Sequence, residues 1–187
     1  MQIEFYNNQN IGNNRSIQMG DLDPTQRAWL EVSGNAIENN VKQIKSLLKN
    51  NCQFMAVVKA DGYGHDAVFV SQHAIRGGAD QFGVATLKEG ITLRIAGINK
   101  PILILGNIYS KEDLIKCFKY DLMPTVSSLR ECLICNNIGK KFHKKFSLHL
   151  KVDTGMSRLG FKLNDLRKSF DKISSCENIA IVGLYSH

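Results

Sequence analysis

"AVVKADGYGH" (Ala56–His65) opens as a buried strand and breaks off at a lysine. Ala56, Val57 and Val58 favour a protein interior, and Lys59 does not. Asp61, Gly62, Tyr63, Gly64 and His65 follow at once, so a tight polar loop leaves the end of an apolar strand. The loop bears on the architecture. A G-x-G-x-x-G turn at this point would favour an open doubly wound sheet, with a dinucleotide held at a helix N-terminus. "KADGYGH" does not have that spacing, and the chain has no Walker-type phosphate loop. A β/α barrel is the competing architecture.

On either side of this stretch the pattern alternates. "QFMAVVKA" reads as a strand and "GHDAVFVSQHAIRGGA" as a helix; "QFGVAT" is a strand and "LKEGITLRIAG" a helix. "PILILG", "LMPTV" and "FSLHLKVD" are strands, followed in turn by the helices "KEDLIKCFKY", "SSLRECLICNN" and "NDLRKSFDKIS". "IAIVGLYSH" is a last strand. Upstream, "SGNAIENNVKQIKSLLKN" places Ile37, Val41, Ile44, Leu47 and Leu48 on one helical face, with Asn35 as the expected cap and Glu38 completing a capping box. The six strands are short, apolar and mostly unalternating, as parallel strands buried on both faces should be. Strand–helix alternation of this kind implies right-handed crossovers. An eight-stranded barrel typically takes about 250 residues. The expectation is therefore an α/β fold: an incomplete β/α barrel of about six parallel strands over residues 27–187. Residues 1–26 are expected to be a flexible tail.

The charge balance is 24 Lys+Arg against 17 Asp+Glu, or +7. Such a balance suits nucleic acid or an anionic ligand, but the positive residues are mostly scattered, as on an ordinary surface. The densest cluster, Lys140, Lys141, His143, Lys144 and Lys145, falls between predicted elements and reads as a solvated loop. The five cysteines follow no regular framework, which fits free thiols in a reducing compartment. Cys132 and Cys135 form a C-x-x-C without a second pair, and their spacing also suits one buried helix face, so no metal site is expected. The amino terminus has no signal-peptide pattern, and no apolar run approaches the roughly 20 residues needed to span a bilayer. The expected location is cytoplasmic, with neither nucleic acid nor membrane as a partner.

Chemistry in parallel α/β folds collects at the carboxyl ends of strands. The ends here carry Lys59, Thr86, Asn107, then His149, Lys151 and Asp153 with Arg158 beyond them, and finally Tyr185 and His187. A lysine at the mouth of an apolar strand is desolvated, which favours the neutral, nucleophilic amine that condenses with carbonyls, including the aldehyde of pyridoxal phosphate. The bland alternative is a lysine snorkelling to solvent. Gly62 and Gly64 allow a sharp turn close to a ligand, and the Tyr63 hydroxyl could meet a phosphate oxygen. Lys151 and Arg158 repel one another unless an anion lies between them; the bland alternative is a surface pair with Asp153 as partner.

"AVVKADGYGHD", "HLKVDTGMSRLGF" and "GLYSH" resemble, in order and spacing, three segments of bacterial alanine racemase, and the resemblance covers roughly residues 27–187. It implies the N-terminal part of a barrel that binds pyridoxal 5'-phosphate. It implies interconversion of L-alanine and D-alanine, the latter for peptidoglycan. By the resemblance, Lys59 is the Schiff-base lysine and the base on one face of the substrate α-carbon. Tyr63 contacts the cofactor phosphate, and Arg158 the phenolic oxygen and the substrate carboxylate. Lys151 matches a position often carbamylated, where it holds Arg158, and His187 lies near the pyridine ring. The family takes its opposite-face tyrosine base from a C-terminal domain of a partner subunit in a homodimer. That domain, the arginine at the pyridine nitrogen and the late barrel loops have no counterpart in this sequence. The alternative reading is a truncated barrel module that keeps cofactor affinity without turnover.

Overall fold

The computed structural model describes residues 2–6 and 29–187, with side chains from Leu30 onward. Strand β1 (Gln2–Tyr6) lies parallel to β2 (Trp29–Ser33) in a two-stranded sheet. The rest of the expected tail lies outside the described residues. Helix α1 (Gly34–Leu47) follows β2 directly.

Six strands then pair in parallel: β3 (Met55–Val57), β4 (Gln81–Val84), β5 (Ile102–Asn107), β6 (Met123–Val126), β7 (Phe146–Asp153) and β9 (Ile179–Tyr185). Between them run α3 (Ala67–Gly77), α4 (Leu87–Ile95), α5 (Lys111–Lys119), α6 (Leu129–Phe142) and α7 (Leu163–Ser174). The six strands of the sequence reading are therefore present in the predicted order. A two-residue strand, β8 (Phe161–Lys162), adds to the end of β7 beyond the reach of β9. It was not anticipated, because two residues carry no periodicity.

The central strands are buried on both faces. Ile102, Leu103 and Ile104 are all buried in succession, as are Phe82, Gly83 and Val84. Helix faces supply Leu93, Leu114, Ile138 and Ile173 to the same core. Among the described residues β3 pairs only with β4, while β9 pairs only with β7. Those two strands are the exposed ones, with Val57, Ile181, Val182 and Leu184 open to solvent. Packing on one side of the sheet thus stops where the ladder stops.

Three local expectations are corrected. Helix α1 is capped by Ser33, whose hydroxyl accepts from Ala36 N at 3.3 Å, and Asn35 lies inside the helix. Glu38 makes no capping box; it reaches the buried His73 Nδ1 on α3 at 2.8 Å. Helix α6 continues to Phe142, so Lys140 and Lys141 sit in its last turn, where cations oppose the carbonyl end of the helix dipole. Lys144 pairs with Asp121 at 3.2 Å. Cys132 and Cys135 are buried on the core face of α6, as the helical reading of their spacing expects.

Candidate active site

Lys59 stands where β3 ends, and the chain leaves it in an unusual way. Ala60, Asp61, Gly62 and Tyr63 form a left-handed helical turn within α2 (Lys59–Gly64), with φ of 51, 54, 63 and 57°. Left-handed geometry costs an L-residue roughly 1–2 kcal/mol, and only Gly62 among the four escapes that penalty. A side chain at Gly62 would also meet Val70 and Ala67 at about 3.2–3.3 Å. Such a turn survives only when its surroundings over-determine it. Gly62 N donates to Val58 O at 2.9 Å, and Ala67 N donates to Asp61 Oδ1 at 2.9 Å. Ala60 N donates to Glu89 Oε1, also at 2.9 Å. The Tyr63 ring is exposed and lies 5.9 Å from Lys59 Nζ.

Strands β7 and β9 supply the second half of the site. Lys151 is 4 % exposed and stands directly across the ladder from Tyr185. Its ammonium lies 5.1 Å from the Tyr185 ring centroid, close enough for cation–π attraction. Thr125 Oγ1 donates to Ile104 O at 2.6 Å, so its one proton is committed. The Tyr185 hydroxyl, 2.6 Å away, must then donate to Thr125. His149 packs edge-on against Tyr185 and over Gly183, where any Cβ would collide with the imidazole. Burial pushes the His149 imidazole below its usual range, towards the neutral form, and pushes the Tyr185 phenol up.

The electrostatics of this face are lopsided. Asp61 takes the amide of Ala67, Asp66 that of Phe69, and Glu131 that of Ser127. Asp153 accepts from Ser157 N at 2.9 Å and Gly155 N at 3.0 Å, which holds its carboxyl below the usual range. It is therefore engaged by its own loop rather than by Lys151 or Arg158. Among the described residues no ion pair involves Lys59, Lys151 or Arg158. Burial lowers the pKa of Lys151, and the charges of Arg158 and Lys59 lower it further. Among the described residues these neighbouring cations have no counter-anion. At the end of β5, Asn107 Nδ2 donates to Ser127 Oγ at 2.8 Å while its buried Oδ1 has no partner among the described residues.

Lys151, Arg158 and His187 line one narrow pocket at this end, and Lys59 is close enough to act on the Lys151 charge. The structure thus brings Lys151, Arg158 and His187 together in one pocket, with Lys59 and its neighbour Tyr63 outside that lining. The sequence reading missed the parts played by Glu89 and Thr125. It placed Tyr185 and Asn107 at strand ends without assigning them a task. A larger cavity, about 440 Å³, opens at the opposite end of the sheet among Gln53, Gln81, Met123 and Phe146. Two of its cations are engaged: Arg94 donates to the backbone carbonyls of Tyr120, Lys100 and Asp121, and Lys144 pairs with Asp121. It also lies where the strands begin, away from the face on which such folds place chemistry.

Residues 32–187 match the family described as alanine racemase, N-terminal domain. The chain belongs to that family. It is 50% identical over 172 residues to an alanine racemase of Prochlorococcus marinus, covering 92% of this chain and 45% of that protein. It is 43% identical over 162 residues to an alanine racemase of a Synechocystis strain, covering 87% of this chain and 44% of that one. Among solved structures, an alanine racemase of Clostridium difficile superposes with a TM-score of 0.77 at 34% identity, over 82% of this chain and 42% of that one. A histidine racemase of Leuconostoc mesenteroides superposes at 0.78 with 27% identity, over 88% and 44%. The chain spans less than half the length of these relatives.

Proposed function

We propose that this chain is the cofactor-holding portion of a racemase that interconverts L-alanine and D-alanine with pyridoxal 5'-phosphate, supplying D-alanine for peptidoglycan. The observation that carries this reading is a set of neighbouring cations, Lys59, Lys151 and Arg158, that form no ion pair among the described residues. Such a set fits an anionic group that also bears an aldehyde for an amine. The bound cofactor would serve as the electron sink for the substrate α-carbanion.

In this reading Lys59 would hold the cofactor covalently at rest, and its Nζ, once the incoming substrate amine has displaced it, would take and return the α-proton on one face. Tyr63 would hold the phosphate, Arg158 the phenolic oxygen and the substrate carboxylate, carbamylated Lys151 would hold Arg158, and His187 would lie near the pyridine ring. The depressed pKa of Lys151 favours the neutral amine that carbamylation requires. Tyr185 is unsuited to be the base on the other face, because its hydroxyl donates to Thr125 and burial raises its pKa. That base belongs to a partner subunit of a homodimer, as the family resemblance implies. The protein works in the cytoplasm; among the described residues no helix is long and apolar enough to cross a membrane.

A second reading, a barrel module that binds the cofactor without turnover, is favoured by the single well-placed base. A positioned base is worth about 10²–10⁴ in rate. Residues 1–187 alone are therefore expected to make negligible D-alanine from L-alanine with saturating cofactor. A hybrid joining them to the remaining portion of the Prochlorococcus relative should racemise alanine. Equal D-alanine formation by the Lys59→Ala hybrid would contradict the proposal.

A further inference from the structure

We propose that Glu89 is a positioning residue for Lys59: its carboxylate fixes the left-handed turn that presents the lysine amine at the mouth of β3. This deepens the reading of Lys59 as the cofactor lysine and rests on it.

Glu89 has an ordinary task and a surplus one. It stands at the third position of α4, and with Thr86 it forms a reciprocal capping box: Glu89 N donates to Thr86 Oγ1 at 3.3 Å and Thr86 N donates to Glu89 Oε2 at 3.1 Å. Ala85 N adds a second bond to the same oxygen at 2.7 Å. Capping uses one carboxylate oxygen and leaves Oε1 free. That oxygen instead accepts the amide of Ala60, the residue after Lys59, at 2.9 Å.

The surplus bond differs from the others that hold the turn. Gly62 to Val58, His65 to Gly62 and Ala67 to Asp61 all stay within a dozen residues of Lys59 and would travel with the loop. The Ala60 bond crosses 29 residues to the start of α4. Val58 N, just before Lys59, gives a ladder bond to Gly83 O at 2.8 Å, and the Ala60 bond is the one that carries this registration past Lys59 into the turn. Three of the four turn residues are not glycine and resist left-handed geometry, so an outside tether is what keeps the backbone from relaxing. Relaxation would swing Lys59, which stands at the base of the turn.

The chemistry of the donor set selects glutamate. Ala60, Ala85 and Thr86 present N–H groups only, so both side-chain oxygens must accept. A glutamine would turn its NH₂ against one of these donors, and an aspartate is one methylene too short to reach both sides.

The test compares Glu89→Gln with Thr86→Ala in residues 1–187. Thr86→Ala weakens the same helix cap but leaves the Ala60 bond in place. Each protein is mixed with pyridoxal phosphate, reduced with borohydride at timed intervals and mapped by mass spectrometry. Thermal melts of the unloaded proteins run alongside. Both variants should melt below the parent. Only Glu89→Gln should slow labelling of Lys59, by about tenfold or more, since small misplacements of a reacting group carry losses of that size. Equal Lys59 labelling by the two variants would overturn the proposal. If Glu89→Gln does not fold, hydrogen exchange in the parent decides: the Ala60 amide should exchange at least about tenfold slower than a free exposed amide, and free-amide exchange would overturn it. A parent that labels elsewhere would instead defeat the reading of Lys59 itself.

Discussion

Lys151 and Tyr185 face each other across the β7–β9 ladder, and the ammonium of one lies 5.1 Å from the ring of the other. The ring is not free to move away. Its hydroxyl is pinned to Thr125 on β6, whose own proton goes to Ile104 O on β5. Four strands thus cooperate to hold one aromatic face beside a buried cation that has Arg158 and Lys59 as its charged neighbours.

The two parts of Tyr185 should separate by mutation. Tyr185→Phe keeps the ring and loses a buried hydrogen bond worth about 0.5–1.5 kcal/mol. It should lower the melting temperature and leave the Lys151 titration nearly unchanged. Tyr185→Leu also removes the cation–π contact, worth roughly 0.5–2 kcal/mol, and should lower the Lys151 pKa further. NMR titration of labelled lysine reads both. Matching Lys151 pKa values in the two variants would show that the ring does not act on the ammonium.

Lys151 itself should destabilise the chain near neutral pH. Its folded pKa lies below the ordinary lysine value of 10.5. Between the folded and unfolded pKa the unfolded chain binds more protons, so stability rises with pH across that window. Below the folded pKa the penalty is complete. Lys151→Met, measured in carbonate-free buffer, should therefore melt above the parent at pH 7, with an advantage that shrinks as pH climbs towards 10.5. A constant difference between the two melting temperatures up to that pH would rule out a buried, crowded ammonium as the source of the penalty.

The cysteines should divide by burial. Cys52 is exposed, and Cys176 is partly buried with its thiol pKa raised by that burial. Burial pushes Cys132 up to about 12, and Cys117 and Cys135 further still. A thiol reagent such as Ellman's should titrate Cys52 first and Cys176 slowly, and reach the other three only after denaturation. Rapid reaction at Cys132 or Cys135 in the folded chain would show that the C-x-x-C is open to solvent.

Much of this was legible in the sequence. "PILILG" and "QFGVAT" are too short for helices and too uniformly apolar for half-exposed strands, so the parallel sheet could be read directly. Lys59 and Lys151 stood out because charged residues at the ends of apolar strands need a reason, whereas the role expected of His187 came only from the family resemblance. The turn after Lys59 was only half legible. Gly62 and Gly64 signalled a sharp bend, but nothing local announces that Ala60 and Tyr63 adopt left-handed geometry against their own preference. Glu89 looked like a helix-start residue, and its second task depends on an amide 29 residues away. The Tyr185–Thr125 bond spans 60 residues and has no periodic signature. The exposed β9 side chains follow from which strands lack a neighbour, which hydropathy along one strand does not reveal.

Every role proposed for the site depends on Lys59 being the amine that takes the cofactor. Residues 1–187 are mixed with pyridoxal phosphate, reduced with borohydride, digested and mapped by mass spectrometry. The predicted result is a phosphopyridoxyl adduct on Lys59, lost in the Lys59→Ala variant. An adduct on another lysine, with none on Lys59, would contradict that assignment and the site built around it.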